Sequence, residues 1–387
     1  MKTLLIVLDG VGDWPCKELG GKTPLESAHK PNIDGLATNS ILLRSRVAGK
    51  IAPESDVGIL SILGINPFKK KIGRGIFEWL STGKQFKNGW LAIRTNFCTL
   101  KGGKIIDRRA GRNVTPAMAK KLAEKINHMK LSVPFEFVAT SGHRGVVAFK
   151  GDFSKHIQNT DPAYQKTGGI SDAQAKFENK IVKCYGLKRD KKSKFSAEIV
   201  NEFSDKVIGA LKGEWPANAL LLRNAENRIP VEDFSKWCIV AEMPLEIGIG
   251  KAFKMKVIHS KEGDYANAAR VANREIKQHN VYVHLKGPDI YGHDGKAAEK
   301  KRSIEKIDSE FFASLKINWK NTRLVIAADH CTPCPLKAHS NDAVPTLIVG
   351  AGIIGTKNSY CEKSAAKEKE IPAWNLLKMA AKPTLRA

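Results

Sequence analysis

Asp289 and His293 stand four residues apart, Asp329 and His330 are adjacent, and His339 follows a short distance on. Asp9 adds a third carboxylate from the far end of the chain. Carboxylate and imidazole ligands together suit Mn²⁺, Zn²⁺, Co²⁺ and similar ions, and a set this large exceeds what one tetrahedral ion needs. Two ions are the natural count. A lone Asp at a strand end is often a helix cap and a lone His an ordinary surface or core residue; the whole set falling at sheet edges points to a metal centre instead. A nucleophile stands in Ala52-Pro-Glu-Ser-Asp-Val57, where a Pro/Ser/Asp start signal opens a short apolar helix. Ser55 then sits at or beside a helix N-terminus, which favours an oxyanion, and a metal on its Oγ would make it a usable nucleophile towards phosphorus. Without the metal ligands, a plain N-cap would be the better reading of that serine.

The elements that must position these residues are legible as short strands. Thr3 to Leu8 is an apolar run ending in Asp9-Gly-Val-Gly-Asp13, the pattern of a buried strand followed by a turn. Val281 to Leu285 precedes Asp289, Leu324 to Ala328 runs into Asp329-His330, and Thr346 to Val349 ends at Gly350, so one layout recurs. Helical spacing fills the gaps at Tyr265 to His279 and Ala297 to Leu315. Alternating strand and helix predicts an α/β, doubly wound, mostly parallel sheet, whose ligands bind beyond the C-terminal strand ends.

From about Gln85 to Tyr185 the profile changes to strand-like runs, such as Trp90 to Thr95 and Gly145 to Phe149, with one helix from Pro116 to Met129. That predicts a smaller inserted α+β domain over residues 85–195, followed by an exposed basic joint at Lys188 to Lys194 and a helix from Ser196 to Leu211. Ala219 to Arg223 reads as the sheet resuming. The larger domain would then be discontinuous, residues 1–84 and 196–387.

Composition narrows the class. With 387 residues and 42% hydrophobic content the chain can bury a full core and divide into two or three domains, so disorder is excluded for most of it. The opening apolar run is far too short for a membrane span or a signal peptide, which predicts a cytoplasmic, soluble protein without membrane association. Seven scattered cysteines predict reduced thiols. The net charge of +25, from 64 Lys+Arg against 39 Asp+Glu, invites an anionic partner. The lysines are spread along the chain and no nucleic-acid-binding module is recognisable, so specific nucleic-acid binding is not expected.

Taken together, Val7 to Asp13, Leu19 to Glu26, Pro31 to Asp34, the Pro-Glu-Ser-Asp segment with Leu63-Gly64, Gly73-Arg-Gly75, Asp107 to Arg112, Gly142-His-Arg144, Asp161-Pro162, Gly292 to Gly295 and Asp329 to Cys334 resemble the archaeal-type cofactor-independent phosphoglycerate mutases, of the alkaline phosphatase superfamily. The resemblance covers nearly the whole chain in order. It implies a metal-binding α/β domain interrupted by a smaller α+β domain, one metal held by Asp289, His293 and His339, and another by Asp9, Asp329, His330 and the Ser55 hydroxyl. The ions would be Mn²⁺ first, with Co²⁺, Zn²⁺ or Mg²⁺ as alternatives, and no 2,3-bisphosphoglycerate. It further implies that Ser55 takes the phosphoryl group from 3-phosphoglycerate and returns it to the 2-hydroxyl, giving 2-phosphoglycerate. Arg94, Arg108, Arg112 and Arg144 could bind carboxylate and phosphate, with His143 and Asp161 candidates for proton transfer. A mutase must also keep its glycerate from water, so the insertion is expected to close over the metal domain.

Arg108 and Arg109 cannot both point inward if they lie on a strand, and the family pattern favours Arg108 with Arg112. Three segments depart from the pattern. Ser55 to Ile59 stands where relatives often have Ser-Asp-Thr-Ala-His; Leu222 to Glu226 replaces a small, glycine-rich stretch; and Pro244 to Gly248 lacks an expected lysine. Cys331 and Cys334 have no second pair and read as structural. A phosphotransferase or phosphatase of the same superfamily, homoserine-kinase-like, is the near rival reading; a basic nucleic-acid-binding protein is the distant one.

Overall fold

The computed structural model describes residues 1–387 except 168, 175, 357 and 387. The chain forms two compact units. The first holds residues 1–70, 233–246 and 254–387, and the second residues 71–232 with 247–253.

The first unit is built on an eight-stranded sheet. Its central strand, Lys2–Leu8, pairs parallel with Asn280–Leu285 on one side and Thr322–Ala327 on the other. Parallel strands covered on both faces read as continuous apolar runs, and Leu4 to Leu8 are accordingly buried without alternation. Trp237–Ala241 and Lys256–His259 extend the parallel set beyond Asn280–Leu285. Val344–Gly350 lies beside Thr322–Ala327 but runs antiparallel to it and to its other neighbour, Ser40–Arg46. The expected repeat of one layout therefore stops at this strand, whose Gly350 end sits at the opposite edge of the sheet from Asp9 and Asp329. A long loop, not a crossover helix, joins Ala327 to Val344, and it leaves His339 on the ligand edge.

The second unit is an antiparallel sheet with helices. Leu91–Lys101 pairs with Arg144–Phe149 and with Ala219–Glu226, and Phe135–Ala139 pairs with Arg144–Phe149. Lys104–Asp107 continues from the far end of Leu91–Lys101. Helices Pro116–Asn127 and Lys191–Ala210 carry Leu122, Ile126, Val200, Phe203 and Val207 into a core shared with Phe97, Phe137 and Phe149. The boundaries expected at 85 and 195 fall inside this unit. Ala219–Glu226 is buried along its whole length, so its sequence imitates a parallel strand while its pairing is antiparallel in this smaller sheet. Helix Lys191–Ala210 starts earlier than expected because Asp190 caps it, its side chain accepting from the Ser193 N–H at 2.6 Å. Half of the supposed basic joint is thus helical. Among the described residues no helix is long and apolar enough to cross a membrane.

Candidate functional site

In the first unit, Asp9 directly follows strand Lys2–Leu8, and Asp329-His330 follow Thr322–Ala327 within two residues. Helix Pro288–Asp294 places Asp289 and His293 one turn apart, hence on one face. Helix Ser55–Ile62 begins at Ser55 itself, with Glu54 in the cap position and no side-chain cap bond. Ser55 is therefore not the N-cap, and its Oγ is left to approach His330 Nε2 at 3.3 Å.

The hydrogen bonds of the imidazoles fix which nitrogen is a donor. His339 Nδ1 lies 2.6 Å from the Pro53 carbonyl and His293 Nδ1 3.2 Å from the Lys337 carbonyl. A backbone carbonyl only accepts, so each Nδ1 carries a proton and each neutral ring turns a lone pair outward at Nε2. Those two Nε2 atoms face each other at 3.2 Å, and Asp289 Oδ1 lies 3.5 and 3.6 Å from them. Three acceptors converge with no donor between them, an arrangement that a cation satisfies. Asp289 is held ionised below the usual carboxylate range: burial and the Asp9 charge oppose this, but His339 and His330 outweigh them.

His330 repeats the logic. Its Nδ1 donates to Thr332 Oγ1 at 3.0 Å, and that hydroxyl donates to Asp289 Oδ1 at 2.6 Å. His330 Nε2 then faces Asp329 Oδ2 at 3.2 Å and Asp9 Oδ1 at 3.5 Å. Both oxygens are buried and accept no hydrogen bond of normal geometry. Burial alone would pull the His330 pKa down, yet Asp329, Asp289 and Asp9 push it up to about 9. Buried carboxylates at that spot demand positive charge, and the donor set of Asp9, Asp329, His330 and the Ser55 hydroxyl fits a second divalent ion. All seven proposed ligands thus come together in one place. His330 and His339 stack at 3.6 Å between ring centres, so the two donor sets adjoin.

Cys334 lies with Cys16 and Asp13. The wholly buried Lys300 already serves that trio: its Nζ lies 2.8 Å from Asp13 Oδ2 and donates to the Gly12 and Thr332 carbonyls. The Cys-x-x-Cys segment therefore packs a loop rather than completing a zinc site.

The second unit gathers guanidinium groups. Arg94 is buried on strand Leu91–Lys101, Arg144 opens strand Arg144–Phe149, and Arg223 is buried on Ala219–Glu226. Glu78, 1% exposed on helix Gly75–Ser81, lies 2.7 Å from Arg74 Nε and 3.7 Å from Arg94 Nε. Asp161, also 1% exposed, binds Arg108 through both oxygens at 2.6–3.1 Å and approaches Arg223 at 3.4 Å. The Arg223 guanidinium lies 3.9 Å over the Tyr164 ring. Burial and neighbouring guanidinium groups hold Arg109 and Arg144 below their ordinary pKa. Burial, then Arg144, Arg109, Arg94 and Arg223, bring His143 down to about 3. Such mutual repulsion among half-buried cations is relieved by an anion.

Three comparisons bear on this geometry. Residues 41–217 match the model of the family described as 2,3-bisphosphoglycerate-independent phosphoglycerate mutase. A protein of that name from Aeropyrum pernix is 36% identical over 94% of each chain, and one from Pyrococcus abyssi is 35% identical over 95% of this chain and 92% of its own. The chain belongs to this family. Among solved structures, a protein from Pyrococcus horikoshii aligns over 98% of this chain and 96% of its own with a TM-score of 0.79 at 28% identity. The cofactor-independent phosphoglycerate mutase from Thermoplasma acidophilum shares the fold at a TM-score of 0.62 and 24% identity.

The departures from the mutase pattern now have structural meaning. Gly58 stands where relatives often carry alanine, and a Cβ there would come within 2.2 Å of the Asp329 carbonyl. Helix Ser55–Ile62 therefore sits closer to the Asp329 backbone than alanine allows. Asn224, within the segment that replaces a glycine-rich stretch, has φ +60°, a left-handed conformation that Asn tolerates better than most residues. Gly75 approaches the Asn224 and Ala92 carbonyls so closely that a Cβ would lie 2.8 and 2.3 Å from them.

The arginine expectations also change. The strand ends at Asp107, so alternation does not govern Arg108 and Arg109, and both are half-buried. Arg112 is exposed on a short 3₁₀ turn. Arg74, Arg109, Arg223 and the carboxylate of Glu78 were not among the expected residues. For Arg223 and Glu78 a signal existed, since each is a charged side chain inside an apolar run.

Proposed function

We propose that this protein interconverts 3-phosphoglycerate and 2-phosphoglycerate in glycolysis and gluconeogenesis, without 2,3-bisphosphoglycerate, as a soluble cytoplasmic isomerase. The observation that carries this reading is the convergence of Asp9, Asp289, His293, Asp329, His330 and His339 around a serine at the start of a helix. Asp289, His293 and His339 would hold one divalent ion and Asp9, Asp329, His330 and Ser55 the other, Mn²⁺ being the first choice for a mixed carboxylate and imidazole set. Such ions supply Lewis-acid stabilisation of a transferring phosphoryl group and lower the pKa of a serine hydroxyl.

Ser55 Oγ, hydrogen-bonded to His330, gives up its proton as it attacks phosphorus of 3-phosphoglycerate; the P–O bond to the 3-oxygen breaks and that oxygen takes up a proton in turn. The N–H groups of the first helical turn favour negative charge at Ser55. The glycerate turns, and its 2-hydroxyl gives up its proton as it attacks phosphorus, while the P–O bond to Ser55 breaks and Oγ regains a proton, so atoms and charge balance over the cycle. Arg94, Arg109, Arg144 and Arg223 are the proposed holders of carboxylate and phosphoryl oxygens, as planar forks suited to both. His143, neutral in the free protein, can accept the hydroxyl proton, and a bound anion would raise its basicity. Asp161, engaged by Arg108 and Arg223, serves as their anchor in place of the proton-transfer task first considered for it.

The test is conversion of 3-phosphoglycerate by the purified chain with no bisphosphoglycerate added. Activity is expected to vanish with EDTA and to return with Mn²⁺ or Co²⁺. Steady release of inorganic phosphate without isomerisation would favour the phosphatase reading instead.

A further inference from the structure

The segment Pro244 to Gly248 lacks the lysine expected there, and among its residues is the wholly buried Glu246. Its Oε2 accepts from the Met243 N–H at 3.1 Å, which fixes the carboxylate at the start of its own helix. Its Oε1 lies 3.2 Å from Lys286 Nζ, and that ammonium lies 2.6 Å from Asp9 Oδ2. Lys286 follows strand Asn280–Leu285, the neighbour of the strand that delivers Asp9. Two carboxylates, those of Asp9 and Glu246, face the Lys286 Nζ. Asp9 thus uses its two oxygens differently. Oδ2 meets Lys286, while Oδ1 faces His330 Nε2 and accepts no normal hydrogen bond.

We propose that Lys286, steadied by Glu246, is a positioning residue that occupies the rear oxygen of Asp9 as a fixed internal cation and thereby sets how tightly the Asp9–Asp329–His330 site holds its ion. The inference rests on the metal-centre reading above. A carboxylate already sharing its charge with an ammonium is a weaker donor, and the ammonium repels a nearby divalent ion. The ion is held less firmly and keeps more of its charge for the phosphoryl group. Glu246 moderates this by cancelling part of the Lys286 charge.

Opposite signs for the two residues follow, where a mere packing role would weaken the site in both variants. Calorimetric titration of Mn²⁺ into the metal-stripped full chain reads this without any turnover. Two sites are expected in the parent chain. Lys286→Met should tighten one of them about tenfold or more, Glu246→Gln should loosen the same site several-fold, and Lys286→Arg should stay near the parent. Weaker binding in both Lys286→Met and Glu246→Gln, or no change in either, overturns the proposal while leaving the metal centre intact. If circular dichroism shows Lys286→Met unfolded, Glu246→Gln against Lys286→Arg decides: loosening in the first alone supports the proposal, and equal affinities overturn it. A parent chain that takes up no Mn²⁺ overturns the metal-centre reading and this inference with it.

Discussion

The first unit gathers acceptors and the second gathers donors. Around His330 and Asp289, carboxylate oxygens and imidazole Nε2 atoms face one another at 3.2–3.6 Å. Around Arg144 and His143, burial first and neighbouring guanidinium groups next hold both pKa values below their ordinary range. Each arrangement is costly by itself and each is relieved by a partner of opposite sign, cations in one case and a small polyanion in the other. On the proposed reading the two units answer for different quantities: the first for metal binding and the chemical step, the second for holding the substrate.

That division can be broken at several points. The largest effect belongs to Ser55→Ala, which should lower kcat by about 10³-fold or more while leaving the Mn²⁺ proposed at Asp289, His293 and His339 in place, as read by turnover and by metal analysis of the same sample. Retained turnover would remove the nucleophile from the scheme. Next comes Arg144→Gln, expected to raise KM for 3-phosphoglycerate about 10- to 100-fold with unaltered Mn²⁺ affinity. A change in metal affinity there would blur the division between units. Gly58→Ala probes the close approach of the nucleophile helix to the Asp329 carbonyl, and the added methyl should cost about 1–3 kcal/mol, seen as a lower melting temperature.

The smallest expected effect concerns acid. His143 titrates at about 3 in the folded chain against an ordinary 6.5. Between those values the unfolded chain takes up a proton that the folded chain refuses. The contribution is therefore fully present above pH 6.5 and is lost as pH falls towards 3. His143→Gln should flatten that part of the stability-against-pH curve without altering the neutral value. Denaturant titrations at pH 7, 5.5 and 4 would check it.

The contrast also explains what was legible in the residues themselves. The proposed metal ligands Asp9 and Asp329 stand immediately after apolar strand runs, so local pattern alone places them on one sheet edge. The donor cluster has no such local signature, because Arg74, Arg94, Arg109, Arg144 and Arg223 come from separate segments and meet only through tertiary pairing. Leu220 to Leu222 misled for the same reason: a fully buried antiparallel strand and a parallel one have the same apolar sequence, and only the partner, Leu91–Lys101, tells them apart. Arg108 and Arg109 could not be sorted until the strand was seen to end at Asp107.

The reversed strand Val344–Gly350 has a consequence for assembly. Because it runs against Thr322–Ala327, the chain re-enters the sheet at the edge it has just left, and the loop between them carries Asp329, His330 and His339 together. Asp289 and His293 lie on the helix only a little upstream. On the proposed assignment the ligands of one ion belong to a single contiguous stretch, cheap to bring together in loop-closure entropy, whereas the other ion would need Asp9 and Ser55 from the opposite end of the chain. Assembly of that second donor set therefore waits until the N-terminal strand has docked between Asn280–Leu285 and Thr322–Ala327.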